Sequence, residues 1–175
     1  MTCIHHYTSP LGGITLAGDR QGLTGLWFDG QKYFGSTLPA EYNAGELPVF
    51  AEADRWLSIY FSGKDPGFTP PLSLKGTEFQ KAVWALLLAI PFGQTTTYKQ
   101  IAQEIARQKG RQTMSAQAVG GAVGHNPVSL IIPCHRVVGS NGSLTGYAGG
   151  IDKKGKLLLM EKGLAEKADF AYPRS

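Results

Sequence analysis

The chain has 175 residues, of which 42% are apolar and 17% charged, and a formal charge of +4. That is enough apolar matter for one or two small cores, and it is unlike the composition of a disordered or fibrous chain. No run approaches the ~20 apolar residues of a membrane span, and the start, Met1-Thr2-Cys3-Ile4-His5-His6, lacks the basic, apolar and small-residue regions of a signal peptide. Two cysteines, Cys3 and Cys134, argue against a disulfide scaffold and fit a reducing cytoplasm. The charge is uneven. Residues 1–74 carry four Lys/Arg and seven Asp/Glu, a net −3, whereas residues 75–175 carry thirteen and six, a net +7. Such a division suggests a polyanionic partner for the second half, most often nucleic acid, although a merely soluble basic surface has the same composition.

Residues 3–8 alternate as a strand does. Cys3, His5 and His6 are metal-ligand types, but alternation puts His6 on the face opposite Cys3 and His5, which favours a plain N-terminal strand. Ser9-Pro10-Leu11-Gly12-Gly13 is a turn, Ile14–Ala17 and Leu23–Phe28 are strands, and Gly18–Gly22 is the hairpin loop between them. Residues 29–47 show no period. Val49, Phe50, Ala53, Trp56, Leu57, Tyr60 and Phe61 recur at helical spacing, which predicts an amphipathic helix over 48–62, closed by Gly63. Phe68-Thr69-Pro70-Pro71-Leu72 reads as an extended linker, dividing a domain over 1–74 from one over 75–175.

In the second half, Thr77 caps a helix running to about Ala89, which Pro91-Phe92-Gly93 breaks. Three threonines, the last being Thr97, precede a short helix from Tyr98 to Ala106 with a narrow stripe of Ile101, Ala102 and Ile105. A polar turn with Arg107, Lys109 and Arg111 leads to a second short helix, Ser115-Ala116-Gln117-Ala118-Val119-Gly120-Gly121-Ala122-Val123-Gly124. The pair reads as a helix-turn-helix, a pattern that two packed core helices also satisfy. Gly120 and Gly121 each cost roughly 1 kcal/mol in a helix relative to Ala. They imply close approach, either to a neighbouring helix or to a DNA backbone.

Asn126-Pro127-Val128-Ser129-Leu130-Ile131-Ile132-Pro133-Cys134-His135-Arg136-Val137-Val138-Gly139 is the focus of the chain. Its apolar run reads as a buried strand ended by Pro133, delivering Cys134 to the core's edge, positioned and partly exposed. A lone Cys is most often only a small buried side chain. Here it has a base beside it, a cation two residues on and glycines after it. Ser140–Ser143 is a tight turn, and Leu144–Gly150 is a loop too rich in glycine to be regular. Asp152 caps a last helix carrying Leu157, Leu158, Leu159, Met160 and Leu164, with Glu161 among them, and the chain frays after about residue 166.

Pro133-Cys134-His135-Arg136-Val137-Val138-Gly139, preceded by Gly124-His125-Asn126-Pro127 and followed by Thr145-Gly146-Tyr147-Ala148-Gly149-Gly150, resembles the O6-alkylguanine-DNA alkyltransferase family over residues 75–163. Ser9-Pro10-Leu11-Gly12 extends the likeness more weakly into the first half. The resemblance implies an α+β protein: a small N-terminal ribonuclease-H-like α/β domain with a three-stranded antiparallel sheet, and a mostly helical C-terminal domain with a helix-turn-helix. It implies a monomer acting on double-stranded DNA that contains O6-alkylguanine, with no cofactor and no membrane. The second helix of the motif would enter the minor groove and the lesion would be flipped out of the stack.

By the same resemblance Cys134 is the methyl acceptor, His135 its base and Glu161 the carboxylate that orients His135. Tyr98 gives a proton to the guanine N3, and Asn126 braces the turn. Backbone carbonyls at Cys134 and Val137 read the exocyclic amine, and the Ala148 amide faces O6 where many relatives have serine. Thr97, Gln117, Ala118, Gly120, Arg136 and Tyr147 complete the DNA- and base-binding set. Read from the residues alone, Glu161 is sooner a solvated helix carboxylate and Tyr98 a core residue, and Asn126 is equally ordinary turn chemistry. Gln117 stands where relatives carry an arginine that fills the gap left by the flipped base, so flipping should be less well stabilised; a tighter complex for Gln117→Arg is the expected check. The positions aligned with a structural zinc of some relatives hold Asp19 and Thr24, so no zinc is expected. Two other readings compete: a lesion-binding relative that lacks the cysteine, and a cysteine hydrolase using Cys134 and His135.

Overall fold

The structure, a computed structural model, describes residues 1–144 and 146–163. Two compact units emerge: Met1–Lys75 together with Pro127–Ile131, and Gly76–Asn126 together with the chain from Ile132 on. A single cut near residue 75 therefore misses one excursion, since Pro127–Ile131 belongs to the first unit.

The first unit is a sheet of β1 (Cys3–Ser9), β2 (Gly12–Asp19), β3 (Gly22–Phe28) and β4 (Asn43–Ala44) in the order β3-β2-β1-β4. The first three strands are antiparallel, as expected. The fourth is an addition that pairs parallel with β1 and, at two residues, is too short to show any alternation in sequence. The β2–β3 turn is set by Asp19, whose Oδ1 accepts from the backbone N–H of Gln21 (2.8 Å) and Gly22 (3.2 Å). Only glycine fits at 22. Its φ is +152°, and a Cβ there would lie 2.5 Å from the Pro71 carbonyl oxygen.

That carbonyl is close because the Pro70–Pro71 segment pairs with β3 and is not a free linker. Leu23 N–H donates to Pro71 O and Ser73 N–H to Leu23 O, each at 2.8 Å. Farther along the same edge, Leu26 N–H donates to Pro127 O and Ser129 N–H to Leu26 O, each at 2.9 Å. Helix α1 (Pro48–Phe61) starts with Pro at its first turn and buries Val49, Phe50, Ala53, Trp56, Leu57 and Tyr60. His5 of β1 stacks on Phe50 at 5.1 Å and donates to Asp54 at 2.8 Å.

The run 128–132 is not a strand. Val128 makes a single bridge to Leu26, after which Leu130 takes φ +72° and Ile131 N–H turns back to Ser129 O. Apolarity here encodes burial, since Val128, Leu130 and Ile132 have no exposure at all. It does not encode extension. Left-handed backbone at a leucine costs about 1 kcal/mol or more, sustained only by the packing around it.

In the second unit, α2 (Glu78–Leu88) and α3 (Tyr98–Gln108) each begin with a reciprocal capping box, Thr77 with Gln80 and Thr97 with Gln100. Thr97 also belongs to β5 (Thr96–Thr97), which pairs parallel with β6 (Val137–Val138). Helix α4 (Ala116–Gly124) is capped by Ser115 and packs on α2 and α3 through Val119, Ala122 and Val123. The buried Trp84 indole of α2 donates to the Ala122 carbonyl at 2.9 Å. Helix α5 (Ile151–Glu161) starts after Gly150, at φ +100°; Asp152 lies in its first turn and is not its cap. Leu164 and the fraying expected after about residue 166 fall outside the described residues. Among the described residues no helix is long and apolar enough to cross a membrane.

Candidate active site

Cys134 opens a single 3-10 turn, Cys134–Arg136, directly after Pro133. Its N–H donates to Ile132 O at 2.8 Å, and Asn126 Nδ2 donates to the same carbonyl at 2.7 Å. Asn126 is buried, so its amide pins the approach to the turn from the end of α4. Its side chain also hydrogen-bonds the thiol. Cys134 is 4% exposed, more deeply placed than a strand end at the core's edge would be. Burial pushes its thiol up, while the Asn126 hydrogen bond and the charge of Lys154 pull it partly back. At rest it is a protonated thiol.

His135 follows it in the same turn. His135 is wholly buried, and its Nε2–H donates to Glu161 Oε2 at 2.5 Å. Burial pushes the imidazole down; the charge and hydrogen bond of Glu161 oppose this, and the cations of Arg136 and Lys154 reinforce it. The net direction is downward, so His135 is neutral at pH 7. Arg136 is buried as well, and not aimed at solvent. Its Nε donates to Glu161 Oε1 (2.8 Å), Nη2 to Oε2 (3.2 Å) and Nη1 to the Ile90 carbonyl (2.7 Å). The guanidinium also lies 5.7 Å from the Phe92 ring. Three of the five guanidinium donors are thus committed inside the protein, two of them to one carboxylate. The Gly93 N–H gives Glu161 Oε1 a further donor at 3.2 Å. Burial alone would push the Glu161 carboxyl up, but His135 and the Arg136 fork outweigh it and hold the carboxyl well below the usual carboxylate range.

Tyr98, first residue of α3, is half-buried and donates its hydroxyl to Gly146 O at 3.2 Å. Burial and then the neighbouring Cys134 raise its hydroxyl, so it stays a donor. Tyr147 sets its ring edge-on to His135 at 6.4 Å. Burial, then Cys134 and Glu161, push its hydroxyl well up. Lys154 was absent from the sequence reading. It is fully buried on α5, its Nζ 5.9 Å from the Tyr98 ring centre, and burial lowers it to about 8 against the opposing pull of Cys134. The signal was there: Lys154, Leu157, Leu158 and Glu161 fall at i, i+3, i+4 and i+7, so two charged residues sit on the apolar stripe.

Gln117 and Ala118 are exposed on the first turn of α4, and Gly120 and Gly121 follow. A Cβ added at Gly120, Gly121 or Gly124 would meet nothing within 4 Å. Packing within the unit therefore does not require these glycines. Thr97 is occupied by its cap and strand roles, Val137 is buried in β6, and Ala148 is half-buried beside Tyr147.

Residues 3–74 match the family model described as the ribonuclease-like domain of 6-O-methylguanine DNA methyltransferase, and residues 78–163 match the one described as its DNA-binding domain. The methylated-DNA–protein-cysteine methyltransferase of Methanosarcina barkeri is 46% identical over 155 residues, covering 88% of this chain and 93% of that one. The Mycobacterium tuberculosis protein of the same name is 44% identical over 164 residues, covering 93% and 94%. The crystal structure of Mycobacterium tuberculosis OGT in complex with DNA superposes with a TM-score of 0.79 at 42% identity, covering 93% of this chain and 94% of that one. With both family models matched in order, and relatives above 40% identity along nearly the whole length, the chain belongs to the methylated-DNA–protein-cysteine methyltransferase family.

Proposed function

We propose that this protein repairs DNA by moving the alkyl group of O6-alkylguanine onto Cys134. The observation that carries the reading is a buried thiol whose neighbour is a neutral imidazole already hydrogen-bonded to an ionised carboxylate. With Nε2 engaged by Glu161, Nδ1 is the nitrogen that takes the thiol proton, and Glu161 stabilises the imidazolium that forms. The thiolate attacks the methyl carbon, an S–C bond forms and the C–O6 bond breaks, its electron pair passing to the guanine. Tyr98 gives a proton to N3, and Lys154 supports the thiolate by its charge. The thioether has no good leaving group, so each molecule acts once and needs no cofactor.

The methyl carbon is concealed in the base stack, so the nucleotide must be extruded, at a cost of a few kcal/mol. Helix α4 suits the duplex side of that task. Its glycine surface is open, its packing residues lie on the other face, and the second half of the chain is basic. Gln117 and Ala118 meet the duplex, Gln117 standing opposite the orphan base, while the backbone at Val137 and Ala148 and the Tyr147 ring hold the flipped guanine. We take the protein to be a cytoplasmic monomer, a setting in which its free cysteines, Cys3 and Cys134, stay reduced.

The test is intact-mass measurement after incubation with a duplex containing O6-methylguanine. One methyl per molecule, saturating, located on Cys134 and absent from Cys134→Ala, is expected. Repeated turnover, hydrolysis of small esters in place of transfer, or no gain in mass sinks the reading.

A further inference from the structure

The carboxylate of Glu161 is shared. One oxygen serves His135 and Arg136 Nη2; the other serves Arg136 Nε and the Gly93 amide. All three residues are buried, at 0%, 7% and 5% exposure for His135, Arg136 and Glu161. A buried carboxylate must be answered by a positive charge. If its only partner were an imidazole, that imidazole would take up a proton to provide the charge, and a protonated histidine cannot accept another from a thiol. Arg136 is a permanent cation and removes the need. It is also held from the far side. Its Nη1 is fixed to the Ile90 carbonyl and its guanidinium lies over Phe92, so the turn after α2 supports the fork that faces the carboxylate.

We propose that Arg136 is a positioning residue for proton transfer: by answering the charge of Glu161 it leaves His135 neutral, oriented through Nε2 and open to the thiol proton. This goes beyond the alkyl transfer itself and rests only on the reading that His135 is the base. Among the described residues, the charged and titratable groups around His135 are Glu161 and Lys154 from α5, Cys134 and Arg136 from its own turn, and Tyr147 from the loop before α5. Of these, Arg136 alone is both a fixed cation and bonded to the same carboxylate.

The test is an NMR titration of the His135 ring, which needs no DNA and so can fail independently of the transfer reaction. In the wild type the ring is expected to be neutral at pH 7, with its proton on Nε2. Arg136→Gln is expected to raise the His135 pKa by about one unit or more, and to move the acid limb of the pH–rate profile of transfer the same way. Arg136→Lys, which keeps the charge and loses the fork, is expected to leave the pKa near its wild-type value while slowing transfer. In a Glu161→Gln background, Arg136→Gln should no longer raise it. A merely structural arginine would lower stability in both variants without separating their titrations. A charged His135 in the wild type at pH 7 overturns the proposal even if Arg136→Gln does not fold, and so does an Arg136→Gln protein whose His135 titrates as before.

Discussion

The described residues contain two histidine–carboxylate pairs that differ mainly in their surroundings. His5 and Asp54 meet at 2.8 Å with side chains 28% and 38% exposed; His135 and Glu161 meet at 2.5 Å with side chains wholly buried. The first ties β1 to α1 on the surface, within reach of water and salt. The second is sealed, and its carboxylate is already matched by Arg136. A proton arriving at His135 must come from a neighbour, and in the proposed reaction that neighbour is the Cys134 thiol. The same two functional groups thus form a clamp in one place and, in the proposed reaction, half of a proton relay in the other, and burial together with a third charge makes the difference.

The strongest way to break the comparison is to remove what the buried pair serves. Cys134→Ser should fold, since it is nearly isosteric, yet show no alkyl gain by intact mass, because a hydroxyl is a far weaker nucleophile than a thiolate. Next comes Glu161→Gln, which strands two buried cations or donors. Urea unfolding should show a loss of about 3–5 kcal/mol, the usual range for breaking a buried pair. Rapid-quench kinetics should show transfer slowed by roughly 100-fold or more, the usual scale of general-base assistance. Lys154→Met should raise the thiol pKa, read from the pH dependence of iodoacetamide labelling, by about one unit, and should not lower stability, since a buried ammonium is costly to hold. Asp54→Asn, the matching change at the exposed pair, should cost less than about 1 kcal/mol and leave transfer unchanged. Equal losses for Asp54→Asn and Glu161→Gln would erase the distinction.

The pH dependence of stability sharpens it further. The pKa values of Glu161 and His135 both lie lower in the folded state than in the unfolded chain, so the folded protein binds fewer protons. Their contribution is present above the unfolded values, near ~6.5 for His and ~4.3 for Glu. It is lost as the pH falls, His135 first and Glu161 further into the acid. Glu161→Gln should flatten the part of this acid limb below about pH 4.3.

Much of this was legible where local chemistry decides structure. Thr77 with Gln80 and Thr97 with Gln100 are capping pairs that sequence alone displays, and both start helices. Asp19 and Gly22 define their turn in the same way. The reading failed where tertiary partners decide. The run 128–132 looked like a strand because apolarity reports burial whatever path the backbone takes. Arg136 is buried against Ile90 and Glu161, partners that nothing local to it reveals, since an arginine is most often exposed. Glu161 itself was reached only through resemblance. Lys154 is legible as a cation on an apolar stripe, although Lys153 and Lys156 beside it make it look like one more surface lysine.

The edge of β3 has a consequence for the order of synthesis. Leu26 N–H and C=O are met by Pro127 and Ser129, residues made a hundred positions after it. A fragment ending at residue 75 would carry the whole hairpin and α1 but leave that edge half open, an invitation to pairing with other chains. The emerging protein meets the same hazard until residues 127–131 leave the ribosome. The first-made unit is thus closed only late, by a strip of chain that leads directly into the reactive cysteine.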